Sequence, residues 1–376
     1  MIYRAIGIMS GSAMEGLHIA FVEFQEISGK WNYEIKNVDC YPYSQEWVNK
    51  LKAASSLTAL DYQLLHTSFG ELIGKSVNQF IEGHGLQYKI QLLASHGHTV
   101  FHLPAKKMIA QLGSGAAIAA ITGINVVSDL RAMDMALAGR GAPIFAIGEK
   151  LLFSENQLFL NLGGIASLSY NHSGTQISFD VSPANKVLNL LAEKAGKPFD
   201  EGGQLASAGK TDSRMLEILN EIEYYHLPYP KSLSNDFCTD VVYPLVKKAG
   251  QNLNDALRTL VEHIAYQVEL AVKKLLTEIP LTAGNTVADI SNPSYRLLVT
   301  GGGAKNVFLV ERLKSALEEL GVQVVVPEKN LIEYKEAVVM ALLGILRWRE
   351  ENNTLSSVTG ASRDSIGGAV WIGLEA

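Results

Sequence analysis

Cysteine is nearly absent: of 376 residues only Cys40 and Cys238 carry a thiol, far apart and outside any metal-ligand spacing. That excludes a disulfide framework and a thiolate zinc site, and it fits a reducing compartment. Basic residues are outnumbered, 32 Lys and Arg against 38 Asp and Glu, for a net charge of −6. A nucleic-acid backbone demands a broad basic surface, so no nucleic-acid partner is expected. Long apolar runs are missing too. The longest, residues 337–346, is too short for a bilayer and contains Gly344, so no membrane role is expected. The opening MIYRAIGIMSG has one Arg and then a strand-like run, without the long apolar stretch and cleavage site of a secretory signal. The expectation is a mature protein that begins here and works in the cytoplasm.

What remains is ample material for a core. Hydrophobic residues make up 47% and charged residues 19%, the balance of a globular chain. The length exceeds one ordinary core, and a prior of ~150 residues per domain gives two. Short β-type runs alternate with helical periodicity throughout, which reads as α/β layers. Leu257, Leu260, Ile264, Val268, Val272 and Leu275 recur at steps of three and four, the stripe of a long helix packed on a core. A second helix is expected over 307–320 and a third, apolar on nearly all sides, over 335–349.

Glycine marks three places. The run 3–8 stops at Ser10-Gly11-Ser12, and 17–24 resumes as a strand, so Gly11 to Gly16 form the tip of a hairpin. A matching unit recurs: 158–162 is apolar, Gly163-Gly164 turn, and 165–170 resumes. Two similar domains are therefore expected, 1–148 and 149–376, with the C-terminal tail free to return to the first. A third turn, Gly301-Gly302-Gly303, follows the strand 295–299 and precedes a helix. Singly, each reads more simply as an ordinary turn than as a phosphate cradle, since glycine turns are common. Together, three glycine turns after apolar strands suit a nucleotide, with backbone N–H groups approaching its phosphates. Lys305 and Asn306, just beyond the third turn, either touch a nucleoside or cap the helix.

Several polar residues stand at strand ends, where α/β sheets place ligands. Asp180 ends the run 176–179 and precedes Ser182-Pro183-Ala184-Asn185, so it is either a helix cap or a general base. Ser95-His96-Gly97-His98 follows the run 90–94, with His102 beyond. No carboxylate or Cys stands at ligand spacing, and a positioned polar loop is favoured over a metal site. Asp129, Arg131 and Asp134 follow the run 124–127 and either grip a polar ligand or form a salt-bridged turn.

Read in order, GIMSGSAMEG, ASHGHTVFHLP, QLGSGAAIA, VVSDLRAMDMALAGRGAPI, LNLGGIASLS, FDVSPANKVLN, KPFDEGG, LPYPKS, VTGGGAKN, KEAVVMALL and SVTGA resemble the anhydro-N-acetylmuramic acid kinase family, a branch of the actin, hexokinase and sugar-kinase superfamily. The resemblance implies a two-domain sugar-kinase fold of ribonuclease H-like α/β type with an interdomain cleft. It implies that ATP and Mg2+ phosphorylate 1,6-anhydro-N-acetylmuramic acid while water opens the anhydro ring, giving the 6-phosphate used in peptidoglycan recycling. Asp180 matches the family's base and Glu336 a carboxylate kept near the site. Gly11, Ser12, Ala13, Met14, Glu15, Gly16, Leu17 and His18 match the first phosphate loop, with Glu15 at a metal-holding position. Gly163, Gly164, Gly301, Gly302, Gly303 and Asn306 complete the nucleotide site. His96, His98, Ser114, Asp129, Arg131 and Asn185 match positions around the sugar.

The chain also departs from the family pattern. G-T-S-x-D-G-x-D becomes Gly11 to His18 with Ser12, Ala13 and Glu15; G-Q-T becomes Gly97-His98-Thr99; the G-D-G turn holds Ser114; Ala138 and Arg140 interrupt G-G-Q-G-A-P; and Ser167 replaces an Asn. These changes keep two rivals open, a related binding protein without turnover and a kinase for another sugar. A homodimer is an open arrangement.

Overall fold

The computed structural model describes residues 1–11, 14–172, 175–229, 231–248, 252–278 and 295–374, so Ser12 and Ala13 of the first loop lie outside the described residues. It divides into two compact units, Met1–Ser154 with Tyr334–Ala376, and Glu155–Glu333.

The first unit is built on β1 (Ile2–Ser10), β2 (Gly16–Ile27), β3 (Lys30–Pro42), β4 (Leu92–Ser95), a separate hairpin of β5 (His98–Leu103) and β6 (Met108–Leu112), and β7 (Val126–Ser128). Its main sheet runs β3-β2-β1-β4-β7 and ends on the strand Ala369–Trp371. The β1–β2–β3 meander is antiparallel, and β4 and β7 run parallel to β1. Central β1 is covered on both faces, which explains why Ala5, Ile6 and Ile8 form an almost unbroken apolar run instead of alternating. On one face lie helices α1 (Ala59–Gly83) and α2 (Gly115–Thr122), whose Phe69, Ile73, Phe80 and Ile118 fill the core. Thr58 starts α1 by accepting from the Asp61 amide at 3.2 Å.

The second unit repeats the plan. β8 (Leu158–Leu162), β9 (Ile165–His172) and β10 (Thr175–Pro183) form an antiparallel meander, and β11 (Tyr295–Thr300) and β12 (Val322–Val325) run parallel to β8, in the order β10-β9-β8-β11-β12. Helices α3 (Asn185–Ala192), α4 (Leu253–Glu278) and α5 (Val307–Glu318) belong to this unit. The expected stripe of α4, from Leu257 to Leu275, is fully buried, each side chain contributing on the order of 1.5–3 kcal/mol of transfer free energy.

Helix α6 (Lys329–Trp348) begins before the expected 335 and places its residues from Tyr334 onward in the first unit. It lies close on the sheet because two positions lack a side chain. A Cβ on Gly7 of β1 would overlap the Ala337 carbonyl, and one on Gly344 would come within 2.6 Å of the Ala94 Cβ. No helix among the described residues is long and apolar enough to cross a membrane.

Candidate active site

In the second unit, two glycine turns follow directly on neighbouring parallel strands. Gly163-Gly164 follow β8 and Gly301 to Gly303 follow β11, with Thr300 paired to Asn161 across the ladder. Gly301 sits at φ +81, and a Cβ there would lie 2.6 Å from Asn161 Oδ1 and 2.8 Å from the Leu162 carbonyl. Gly303 is equally confined, 2.7 Å from the Leu162 Cβ. By contrast a Cβ on Gly302, Gly163 or Gly164 would meet only ordinary contacts of 3.4 Å or more.

The start of α3 closes this corner. Amides of Ala184 and Lys186 donate to the Gly164 carbonyl at 2.9 and 3.1 Å, the Asn185 amide donates to the Gly163 carbonyl at 3.1 Å, and Asn185 Nδ2 donates to the Leu162 carbonyl at 2.9 Å. Asn185, expected beside the sugar, is thus tied to the glycine turn of its own unit. Asn306 caps α5, its Oδ1 accepting from the Leu309 amide at 3.0 Å. Lys305 pairs with Glu333.

Asp180 does not cap a helix, since α3 starts at Asn185 behind Ala184. It sits instead on β10 opposite Ser167, at a break in register between Asp180 and Ser182. The Ser167 hydroxyl donates to Oδ1 at 2.6 Å and the Leu233 amide donates to Oδ2 at 2.9 Å. Its backbone is held as well, with the amide donating to the Lys231 carbonyl at 3.1 Å and the carbonyl accepting from Tyr224 Oη at 2.7 Å. Each carboxylate oxygen has two lone pairs, so both keep one acceptor site after these bonds. Ser167 is one of the departures from the family pattern, and here it orients the carboxylate.

In the first unit the hairpin tip is fixed at its base and open at its crown. Gly16 is buried with no room for a side chain beside Tyr41, whereas a Cβ on Gly11 would meet nothing within 4 Å. Met14 turns at φ +56, its amide donates to the Gly11 carbonyl at 3.2 Å, and Glu15 is exposed. Leu17, expected in the loop, is a core side chain, and His18 packs its ring 5.3 Å from that of Tyr334.

Glu336 lies on α6. Burial pushes its carboxyl above the ordinary carboxylate range, and Lys335, Arg131 and His18, in that order, oppose the shift. Lys335 itself forms a buried ion pair with Glu149 at 3.1 Å, which sequence reasoning missed because the partners lie on different helices. Burial lowers Arg131 to about 10, opposed by Glu336. Arg131 Nη1 donates to the Gly141 carbonyl at 3.1 Å. Asp134 is a buried brace: its carboxylate accepts from the Gly141 amide at 2.7 Å and from the Thr359 hydroxyl at 2.6 Å.

The histidine loop divides in two. His98 Nδ1 lies 3.0 Å from the Ser10 hydroxyl, which also receives Tyr43 Oη at 2.7 Å, so this ring secures the end of β1. His96 is buried and its pKa is held down to about 3, first by burial and then by Arg131. Among the described residues no group of three His, Cys, Asp or Glu side chains is placed to hold a metal.

His96 lines a cavity of about 280 Å³ at the ends of β4 and β7, together with Asp129 and Gly115. Ser114, next to it, caps α2 by accepting from the Ala117 amide at 3.3 Å. Tyr62, His66 and Gln111 also line the cavity and were missed. Gln111 stands within QLGSGAAIA, and Tyr62 and His66 share one face of α1 at a spacing of four, but nothing local marks them as facing a ligand.

A family model described as anhydro-N-acetylmuramic acid kinase matches residues 3–373. Curated relatives bearing that description come from Sulfurovum sp. (strain NBC37-1), 29% identical over 98% of this chain and 99% of the relative, and from Coxiella burnetii (strain Dugway 5J108-111), 31% identical over 98% of each. A third, from Hydrogenovibrio crunogenus, is 29% identical over 97% of each. With its α/β units and its glycine turns at strand ends, the chain belongs to the anhydro-N-acetylmuramic acid kinase family.

Proposed function

We propose that the chain is an ATP-dependent carbohydrate kinase that converts 1,6-anhydro-N-acetylmuramic acid to N-acetylmuramic acid 6-phosphate, with Asp180 as general base. The observation that carries this reading is the fixed Asp180 carboxylate, oriented by Ser167 and the Leu233 amide with an acceptor site left on each oxygen. Water attacks C1 of the sugar and gives its proton to Asp180. The C1–O6 bond breaks, O6 forms a bond to the γ-phosphorus, and the bond from that phosphorus to its bridging oxygen breaks to release ADP.

The phosphates are assigned to the glycine turns at Gly11, Gly163-Gly164 and Gly301 to Gly303, where backbone N–H groups need a close approach. Glu15 is the carboxylate assigned to Mg2+, which neutralises charge on the phosphates when bound. Glu15 is exposed, so its carboxylate is accessible to such an ion. Arg131, Glu336, His18, His98 and Asp129 are assigned to holding and orienting the sugar. Peptidoglycan recycling in the cytoplasm is the setting that this reaction implies.

The test is a coupled assay of ATP consumption with the anhydro sugar. Asp180→Asn keeps the shape and removes the basicity, so turnover should fall by roughly 100-fold or more with nucleotide affinity little changed. Near-wild-type turnover in that variant would remove Asp180 from the mechanism, and no turnover in the unaltered protein would leave a binding protein of the same fold.

A further inference from the structure

Side chains alternate along β9 and β10, so the paired Ser167 and Asp180 stand on one face of the sheet and the paired Leu168 and Phe179 on the other. On the Phe179 face the second unit holds a cavity of about 250 Å³. Its walls are Phe179 and Val181 of β10, Tyr229 and Lys231 of the connection between α3 and α4, and Leu270 and Lys274 of α4. Leu270 is 42% exposed, and Leu227, which also lines the cavity, is 43% exposed, so the space opens to solvent. It shares no lining residue with the cavity at the ends of β4 and β7.

Two kinds of surface meet there. The rings of Phe179 and Tyr229 stack with centroids 5.3 Å apart and 12° between their planes, and Val181 and Leu270 extend this apolar wall. Among the described residues that line the cavity, the charged ones are two lysines. Lys231 Nζ donates to the Tyr224 and Tyr225 carbonyls, each at 3.1 Å, which fixes the ammonium and leaves its third N–H group for a ligand. Burial and then the charge of Lys274 lower the Lys231 pKa, so two cations repel each other across a partly desolvated space. Glu278 tempers the second of them: its Oε1 lies 4.0 Å from Lys274 Nζ, and its Oε2 accepts from the Tyr229 hydroxyl. About one positive charge is left uncompensated, which suits a monoanion better than a dianion. An apolar wall with a few convergent polar groups is the pattern of a small-molecule site. Since benzene fits a cavity of about 150 Å³, the space here takes one ring, a carboxylate and little more.

We propose that this cavity binds a small aromatic monocarboxylate, with its ring against Phe179 and Tyr229 and its carboxylate on the ammonium groups of Lys231 and Lys274. The site goes beyond the reading of the chain as a kinase and stands whether or not that reading does.

The experiment is calorimetric titration of the full chain with phenylacetate and with three controls. Phenylacetamide keeps the ring and the shape without the charge, while acetate and inorganic phosphate keep the charge without the ring. Phenylacetate should bind saturably and roughly 10-fold or more tightly than each control, because charge-assisted hydrogen bonds and ring burial act together on it alone. Lys274→Gln should weaken phenylacetate by roughly 10-fold and leave phenylacetamide unchanged, a split that a merely structural role would not produce. Lys231→Gln, checked for folding by circular dichroism, should do the same. A saturating ATP analogue should leave the phenylacetate affinity as it is. Absence of saturable binding, equal affinity for the acid and the amide, or full affinity in Lys274→Gln overturns the proposal. Phosphate binding as tightly as phenylacetate, or displacement of phenylacetate by the ATP analogue, overturns it too, by placing a plain anion site at the glycine turns instead.

Discussion

The glycine turns of the two units look alike in sequence and differ in what holds them. In the second unit Gly301 and Gly303 are required by packing, because any side chain would collide with Asn161 or Leu162. In the first, Gly16 is required in the same way at the base of the hairpin, while Gly11 at its crown has open space around it. Gly163, Gly164 and Gly302 resemble Gly11 in having room for a methyl group. A glycine that packing demands says little about a ligand. One that packing does not demand, beside a strand end, is where a phosphate's need for close N–H groups leaves its mark.

Substitution separates the two kinds. Gly301→Ala or Gly303→Ala should cost roughly 2–4 kcal/mol of stability, through collision and, at Gly301, through a left-handed φ; denaturant melts measure it, and an unchanged midpoint would break the comparison. Each unit also buries a histidine whose pKa is held down to about 3 mainly by burial, His96 in the first and His263 in the second. His263 is wedged between Asn220 Oδ1 at 2.7 Å and Tyr225 Oη at 2.9 Å. The unfolded chain binds these protons near the ordinary histidine value of ~6.5, so the stability they contribute is complete above it and is lost as pH falls toward about 3. Up to about 1.4 kcal/mol per pH unit is expected from each, and His263→Gln should flatten the pH dependence of the melting temperature by one share.

Smaller effects sharpen the ligand side of the comparison. Gly11→Ala and Gly302→Ala should leave the melting temperature within a few degrees yet weaken an ATP analogue by roughly 10-fold, about 1.4 kcal/mol. Loss of stability with unchanged affinity would assign these positions to packing after all. Ser167→Ala removes one of the two donors to Asp180 and should lower kcat by roughly 3- to 10-fold, the worth of one hydrogen bond of about 1 kcal/mol, without moving nucleotide affinity.

Much of this was legible in the sequence, for physical reasons that can be named. The stripe of α4 and the apolar run of β1 announce burial directly, because solvent exclusion acts on side chains at fixed periods. Asp180 was legible as a strand-end carboxylate, but that it caps no helix depended on α3 starting four residues later than a cap requires. Asn306 does cap, because its helix begins at the next residue. Tyr62, Ser95 and Gln111, which line the cavity at the ends of β4 and β7, were not recognisable as a set. Their convergence is made by three elements meeting at one sheet edge, and no local pattern encodes such a meeting.

The sheet of the first unit ends on Ala369–Trp371, with Trp371 Nε1 donating to Ser128 Oγ at 3.0 Å and Thr359 anchored on Asp134. On a translating ribosome, which lengthens the chain from its N-terminus at ~5–20 residues per second, the segment Glu155–Glu333 is therefore fully emerged while the earlier-made unit still lacks its last strand and α6. The part synthesised first must wait for the part synthesised last. During that interval the free edge of β7 and the uncovered face of β1 are the surfaces a nascent-chain chaperone would have to shield.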